Sequence, residues 1–245
     1  MILRYLAVVD DAPLAFLILI AAFSASLLTG LVFHEVAHAY VADSLGDQTP
    51  RRFGRLSLNP LRHLDPVGSA LIFFVGFGWA KPVPVNPANT RGNATRNMAL
   101  IALAGPGTNL VIAALASIPI KLGYVPFFHP FVAPSAANLW AQVWTDSPEN
   151  LAGLFLGTIV LLNILLAIFN LLPIAPLDGF RVAIGVLPVD VGRQLARLEP
   201  WGPGVLMVLI FLPFIGGPPL LFDAMRPFID FFLRIFVESS DLRVI

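Results

Sequence analysis

Apolar residues run through this chain in long blocks divided by short polar stretches. A helix that crosses a membrane needs about 20 consecutive, mostly apolar residues. Four blocks meet that length. The first, Pro13 to about Tyr40, carries no ionisable group before His34. The second runs from Met98 to about Leu122 and the third from Leu151 to Leu172. The fourth, about Gly204 to Phe222, is broken by Pro213 and by Gly216-Gly217-Pro218-Pro219. Val67 to Ala80 is also apolar but too short to span, and its Gly and Phe content predicts either a re-entrant segment or a β-hairpin lying in the membrane. Past Arg226 the pattern changes. Arg226, Asp230 and Arg234 recur every four residues among Phe228, Ile229, Phe231, Phe232, Leu233, Ile235 and Phe236, which predicts an amphipathic helix over about 226–237. Such a helix lies in the membrane interface or packs on the protein's own surface or a partner's. The expected fold is an all-α integral membrane protein, a single domain over 1–245. It has about four transmembrane helices, the short membrane-associated segment and a C-terminal amphipathic helix.

Composition strengthens this reading. Hydrophobic residues make up 57% of the 245 positions and charged residues 12%, against about 25% charged in soluble domains. A water-soluble fold of this size cannot hide so much apolar surface. The net charge of zero argues against a nucleic-acid partner. With no cysteine there is no disulfide, thiolate metal site or cysteine nucleophile. The N-terminal block reads as a retained helix, because Arg4 is offset by Asp10 and Asp11 and no small-residue cleavage pattern precedes His34. Loop charge orients the chain. The stretch between the first two blocks carries Arg51, Arg52, Arg55, Arg62, Lys81, Arg91 and Arg96; Gly123 to Asn150 carries no Lys or Arg; the stretch after the third block carries Arg181, Arg193 and Arg197. The first and third loops are expected in the cytoplasm, although Arg226, Arg234 and Arg243 then fall on the outer side.

The first block ends in Phe33-His-Glu-Val-Ala-His-Ala-Tyr40. Helical residues four apart share a face, so His34 and His38 can hold one metal ion while Glu35, one position round, reaches a water there. A hydrolytic zinc site offers three protein ligands and one open position. Its metal acidifies water and polarises a carbonyl, and a carboxylate beside it serves as general base. Chance would place this pattern on the order of 0.001 times in a chain with this one's histidine and glutamate content. Ionisable groups at membrane depth are costly and functional by default, which disfavours a pair of merely packed histidines.

A third ligand is needed, and Asp178 stands out in Phe169-Asn-Leu-Leu-Pro-Ile-Ala-Pro-Leu-Asp-Gly-Phe180. Pro173 and Pro176 prevent a continuous helix, and Gly179 allows a sharp turn. Irregular backbone at membrane depth is tolerated where it is buried in protein or lines a wet cavity. A carboxylate there suits a buried metal; the alternative is a capping Asp at a helix end.

Taken together, these segments resemble the site-2 protease family of intramembrane zinc metalloproteases. His34-Glu35-Val36-Ala37-His38 and Asn170-Leu-Leu-Pro173-Ile-Ala-Pro-Leu177-Asp178-Gly179 match its two signatures, and Gly105-Pro-Gly-Thr-Asn109 is similar to its Gly-x-x-x-Asn element. The stretches Arg55 to Gly68 and Phe77 to Asn86 resemble the segment between the signatures in compact bacterial members. The family often carries extra helices and a PDZ or CBS domain; this sequence has no room or pattern for one. The resemblance implies one Zn2+ ion held by His34, His38 and Asp178, Glu35 as base, and cleavage in or next to the transmembrane segments of protein substrates in a prokaryotic cell membrane; loop charge puts the site nearer the cytoplasmic side. The resemblance also implies that Asn109 and Asn170 bind substrate backbone or steady an oxyanion; for Asn109 an interhelical hydrogen bond is the other reading. Residues Val67 to Val85 offer either a strand edge for an unwinding substrate or a packing hairpin. His63 and Asp65 are expected in a solvated loop, and His129 away from the site. A non-catalytic membrane binding module on a protease-like fold is the competing class, and the intact base Glu35 argues against it. A transporter would show paired broken helices and more ionisable groups within its spans.

Overall fold

The computed structural model describes residues 12–74 and 78–238. Among them it forms ten α-helices and no strand. These are α1 (Pro13–Ser44), α2 (Thr49–Arg52), α3 (Pro66–Phe74), α4 (Ala94–Lys121), α5 (Ala137–Thr145), α6 (Pro148–Asn170), α7 (Asp178–Val186), α8 (Val189–Ala196), α9 (Gly202–Phe211) and α10 (Leu220–Phe236). Three of them, α1, α4 and α6, are long and apolar enough to cross a membrane. The bent run from Val189 to Ile215 counts as a fourth if taken as one span.

Helix starts follow local chemistry. Pro13, in the first turn of α1, has no N–H to leave unsatisfied there. The side chain of Asn93 accepts from Arg96 N and that of Ser147 from Asn150 N, which caps α4 and α6. Pro173 and Pro176 follow α6 and prevent its continuation.

Helix α4 is the organising element, packed against α1, α6 and α7. Small residues make these contacts close. A Cβ on Gly30 of α1 would stand 2.9 Å from Leu166 Cδ1 and 3.0 Å from Asn163 Oδ1 of α6. One on Gly185 of α7 would stand 2.3 Å from Ala99 Cβ of α4. Glycine at such crossings lets backbones approach within a membrane bundle. Two apolar clusters result. One joins Leu19 and Phe23 of α1 to Trp144 of α5 and Leu154 of α6. The other joins Ala113 and Ile120 of α4, Val160, Ile164 and Ile168 of α6, and Met225 and Ile229 of α10.

Several sequence expectations change shape. Of segment 67–80, the described residues form a helix and no β-hairpin. Asp65 Oδ1 accepts from Val67 N and Gly68 N and starts α3, and the chain returns so that a Cβ on Gly68 would lie 2.1 Å from Trp79 O. Only an isolated bridge, Leu64 to Ala80, resembles strand pairing, and residues 75–77 fall outside the described part. The candidate substrate strand therefore has no strand partner among the described residues. The block 204–222 is divided: α9 ends at Phe211, a 3-10 turn follows over Leu212–Ile215, and Gly216 at φ +85° turns the chain into α10. Helix α10 starts earlier than expected and lies against the protein itself, with Lys121 Nζ donating to Ile235 O. The expected outer loop contains α5, whose Trp144 is fully buried. His63 is not solvated: it is fully buried, with Nε2 2.6 Å from Ser57 O. The cause is local folding, since Lys81 N donates to His63 O and closes the loop over the ring.

Past α1, Asp47 ties two distant segments together. Its carboxylate accepts from Thr49 N, Thr49 Oγ1, Asn86 N and Asn89 Nδ2. Neighbours cover it completely, in a thin layer at the rim rather than in the core. Burial alone would raise its pKa; the hydrogen bonds from Thr49, Asn86 and Asn89 outweigh that and hold it below the ordinary value of 3.8. A carboxylate whose folded pKa is depressed stabilises the fold above its unfolded pKa, and the contribution fades as pH falls through the folded value. Asp47→Ala should cost about 1–3 kcal/mol at neutral pH, read as a lower melting temperature in detergent. The gap to wild type should narrow once pH drops below about 4.

Candidate metal centre

His34 and His38 sit near the end of α1 that is distant from Pro13. At 1.5 Å per residue His34 lies about 30 Å along the helix, roughly one bilayer core. Both rings are buried, 6% and 7% exposed, and they meet edge-on with centroids 4.6 Å apart. Asp178 opens α7, so it starts the next helix rather than capping the last one. Its Oδ2 stands 3.1 Å from His34 Nε2 and 3.2 Å from His38 Nε2. The ligand atoms of the three side chains lie within 4.8 Å of one another, and among the described residues they are the only group of this kind. The approach of Asp178 depends on Gly179, which needs no left-handed backbone. A Cβ there would fall 2.1 Å from Leu171 O, so glycine is required because α7 folds tightly back on the end of α6.

Helix α4 closes the centre from the third side. A Cβ on Gly105 would lie 2.5 Å from His38 Nε2 and 2.6 Å from His34 Nε2. One turn earlier, Ile101 O lies 2.6 Å from His38 Nδ1 and accepts from it. That contact places the proton on Nδ1 and leaves Nε2 with a free lone pair towards Asp178. His34 Nδ1 is buried without such a partner. Ile101 was invisible in sequence because its backbone carbonyl acts, not its side chain.

The donor set suits zinc. Two imidazole nitrogens and one carboxylate oxygen form a catalytic ligand set with one position left over, and Asp178 Oδ2 is buried without a hydrogen-bond partner, facing the two Nε2 atoms. Buried charges are normally paired or coordinate metal. Glu35 is half-buried and makes no hydrogen bond or ion pair to another described residue, so its carboxylate is free to serve.

The two asparagines are occupied differently. Asn109 is fully buried. With its amide nitrogen turned towards α1 it donates to Gly30 O at 3.1 Å and to Gly105 O at 3.3 Å. Asn170 Nδ2 donates to Leu166 O within α6, using one of its two amide hydrogens. Neither His63 nor His129 approaches the centre's metal-ligand group. His129 packs its ring against Phe127, with centroids 5.7 Å apart.

A polytopic helical bundle in which two buried histidines and a partly buried carboxylate converge from different helices defines a membrane metalloenzyme. The chain belongs to peptidase family M50, whose family model matches residues 22–211, and the resemblance to site-2 proteases is thereby shown. A protein of Bacillus subtilis (strain 168) described as "Putative zinc metalloprotease YwhC" is 34% identical over 212 residues, spanning 86% of this chain and 89% of that one. "Putative zinc metalloprotease Rip2" of Mycolicibacterium smegmatis is 30% identical over 233 residues, 94% of this chain and 81% of that protein. The protein of that name from Mycobacterium tuberculosis (strain H37Rv) is 28% identical over 218 residues, 88% and 76% respectively. No solved structure matches the chain.

The contact at Gly105 yields a direct test. Gly105→Ala places a methyl group against both Nε2 atoms, so purified protein should lose most of its zinc, at least about tenfold in affinity, while α1, α4 and α6 stay helical by circular dichroism. Metal analysis on the folded variant reads the outcome.

Proposed function

We propose that this chain is an intramembrane zinc endopeptidase that cleaves membrane-protein substrates in or next to their transmembrane segments. The observation that carries the reading is the convergence of His34 and His38, on a helix long and apolar enough to cross a membrane, with Asp178 about one point. A carboxylate buried between two imidazoles from another helix makes little sense without a metal. Zinc, when bound, supplies Lewis acidity to water and to a scissile carbonyl.

The chain's own groups do the rest. His34 and His38 hold the metal through Nε2, with His38 oriented by Ile101 O. Asp178 supplies the third ligand and its negative charge. Glu35 accepts the proton of the attacking water and delivers it to the leaving amine nitrogen. Asn170, the last residue of α6 before the loop that leads to Asp178, retains one amide hydrogen and its carbonyl for substrate backbone. Asn109 is in the substrate-binding set at most through its carbonyl, because its amide nitrogen bridges α1 and α4. Loop charge supports a centre nearer the cytoplasmic side of a prokaryotic cell membrane. The relatives' printed names support the zinc chemistry.

Glu35→Gln keeps the ligands and removes the base. Cleavage of a tagged transmembrane substrate in reconstituted vesicles should fall by about 10³-fold or more, with zinc content unchanged; full activity would refute the reading. Asp178→Ala should instead lose zinc and activity together. Asn170→Ala should lower the rate of cleavage by about 10²-fold with zinc retained, if its free amide hydrogen steadies the oxyanion.

A further inference from the structure

Beside the N-terminal third of α4 lies a cavity of about 680 Å³, walled on its far side by α7 and α8. Its apolar walls include Leu100, Leu103, Val186 and Val189, and its two charged residues are Arg96 and Arg193. No acidic residue lines it. Val186 and Val189 are 77% and 67% exposed, and Leu100 and Leu103 nearly half exposed. No carboxylate pairs with Arg96 among the described residues. Arg193 reaches Asp190 only at 3.7 Å, with both side chains mostly in the open. A smaller adjoining cavity of about 180 Å³ shares Thr95 and Ile184 and adds Arg181, whose charge Glu199 already engages.

The combination is specific in kind. Leucines and valines beside a membrane-crossing helix ask for hydrocarbon. Arg96, two residues into α4, and Arg193 of α8 line the same cavity and ask for an anion with several acceptor oxygens. A soluble anion would leave the apolar walls wet, and a neutral lipid would leave Arg96 without a counter-charge. We propose that this cavity binds an anionic phospholipid, with its phosphate at Arg96 and Arg193 and an acyl chain along Leu100, Leu103, Val186 and Val189. The lipid lies in the groove beside the close α4–α7 contact, against α8. Helix α7 begins at Asp178, so the bound lipid braces the helix that presents this carboxylate to the two histidines. The inference rests on the chain's residence in a membrane and not on its being a protease.

The test is lipid binding by native mass spectrometry on the full chain in detergent, with phosphatidylglycerol, phosphatidylcholine and glycerol 3-phosphate as probes. Phosphatidylglycerol should bind about tenfold more tightly than phosphatidylcholine. Arg96→Gln with Arg193→Gln should erase that preference, whereas Arg226→Gln with Arg234→Gln on α10 should keep it. Leu103→Trp, which fills the cavity and leaves both arginines in place, should weaken phosphatidylglycerol by a similar factor, and it decides the matter alone if the double variant does not fold. The proposal is overturned if the groove variants bind as wild type does, or if the α10 variant loses as much. Displacement of the lipid by glycerol 3-phosphate at equal concentration overturns it too, since that marks a site for a free phosphate. None of these readouts needs proteolysis, so a failure here and a failure of the protease reading are told apart.

Discussion

The centre depends on how close α4 comes to α1. At Gly105 the α4 backbone passes so near His34 and His38 that not even a methyl group fits. That approach lets Ile101 O reach His38 Nδ1 one turn earlier. It also lets Asn109, one turn later, reach across to Gly30 O. Three consecutive turns of one helix thus set the orientation of a ligand, the space around the ligand atoms and the bond that keeps the two helices in register. In a bilayer, where lipid is as apolar as any side chain, close packing and interhelical hydrogen bonds replace the hydrophobic effect as the force between helices. The site uses both within about 12 Å of helix.

What could be read beforehand follows from this division of labour. Side-chain chemistry was legible: the His34-Glu35-x-x-His38 spacing, the lone carboxylate at Asp178 behind two prolines, and the long apolar blocks that became α1, α4 and α6. Backbone chemistry was not. Ile101 contributes a carbonyl that any residue would supply. The glycines were anticipated for turning or close packing, but their partners were not. Gly179 proved to be demanded by Leu171 O and not by an unusual dihedral. The amphipathic period of α10 was visible, yet a period cannot say whether the apolar face meets lipid or protein; Met225 and Ile229 answer that by entering the cluster of α4 and α6. Segment 67–80 stays open in sequence between a re-entrant segment and a hairpin, because short apolar runs with glycine suit hairpins and buried helices equally. The Asp65 cap decided for a helix.

The two histidines are not equivalent, and the difference bears on what each contributes. His38 is fixed at both ends, by Ile101 O behind and Asp178 in front. His34 is fixed in front only. A ligand imidazole without a second partner is less basic and freer to tilt. In the proposed centre His38 would be the more rigid ligand and His34 the one freer to adjust.

The position of the centre along α1 turns these contacts into a constraint on access. His34 lies about 30 Å from the start of the helix, so one end of the span is almost wholly apolar and the other carries all the polar machinery. Hydrolysis needs water, and lipid excludes it. The polar side of the centre is the side where α3, the Asp47 tie and the loop to α4 gather. The Asp47 tie holds residues 86–89 against the end of α1, a few residues past His38, and so fixes the rim of that side. On the proposed function water would enter there, while the exposed apolar lengths of α1 and α4 would be the faces a substrate helix approaches laterally. A substrate helix reaching His34, His38 and Asp178 at such a boundary could lose its end turns and expose a carbonyl without carrying unpaired backbone groups into hydrocarbon.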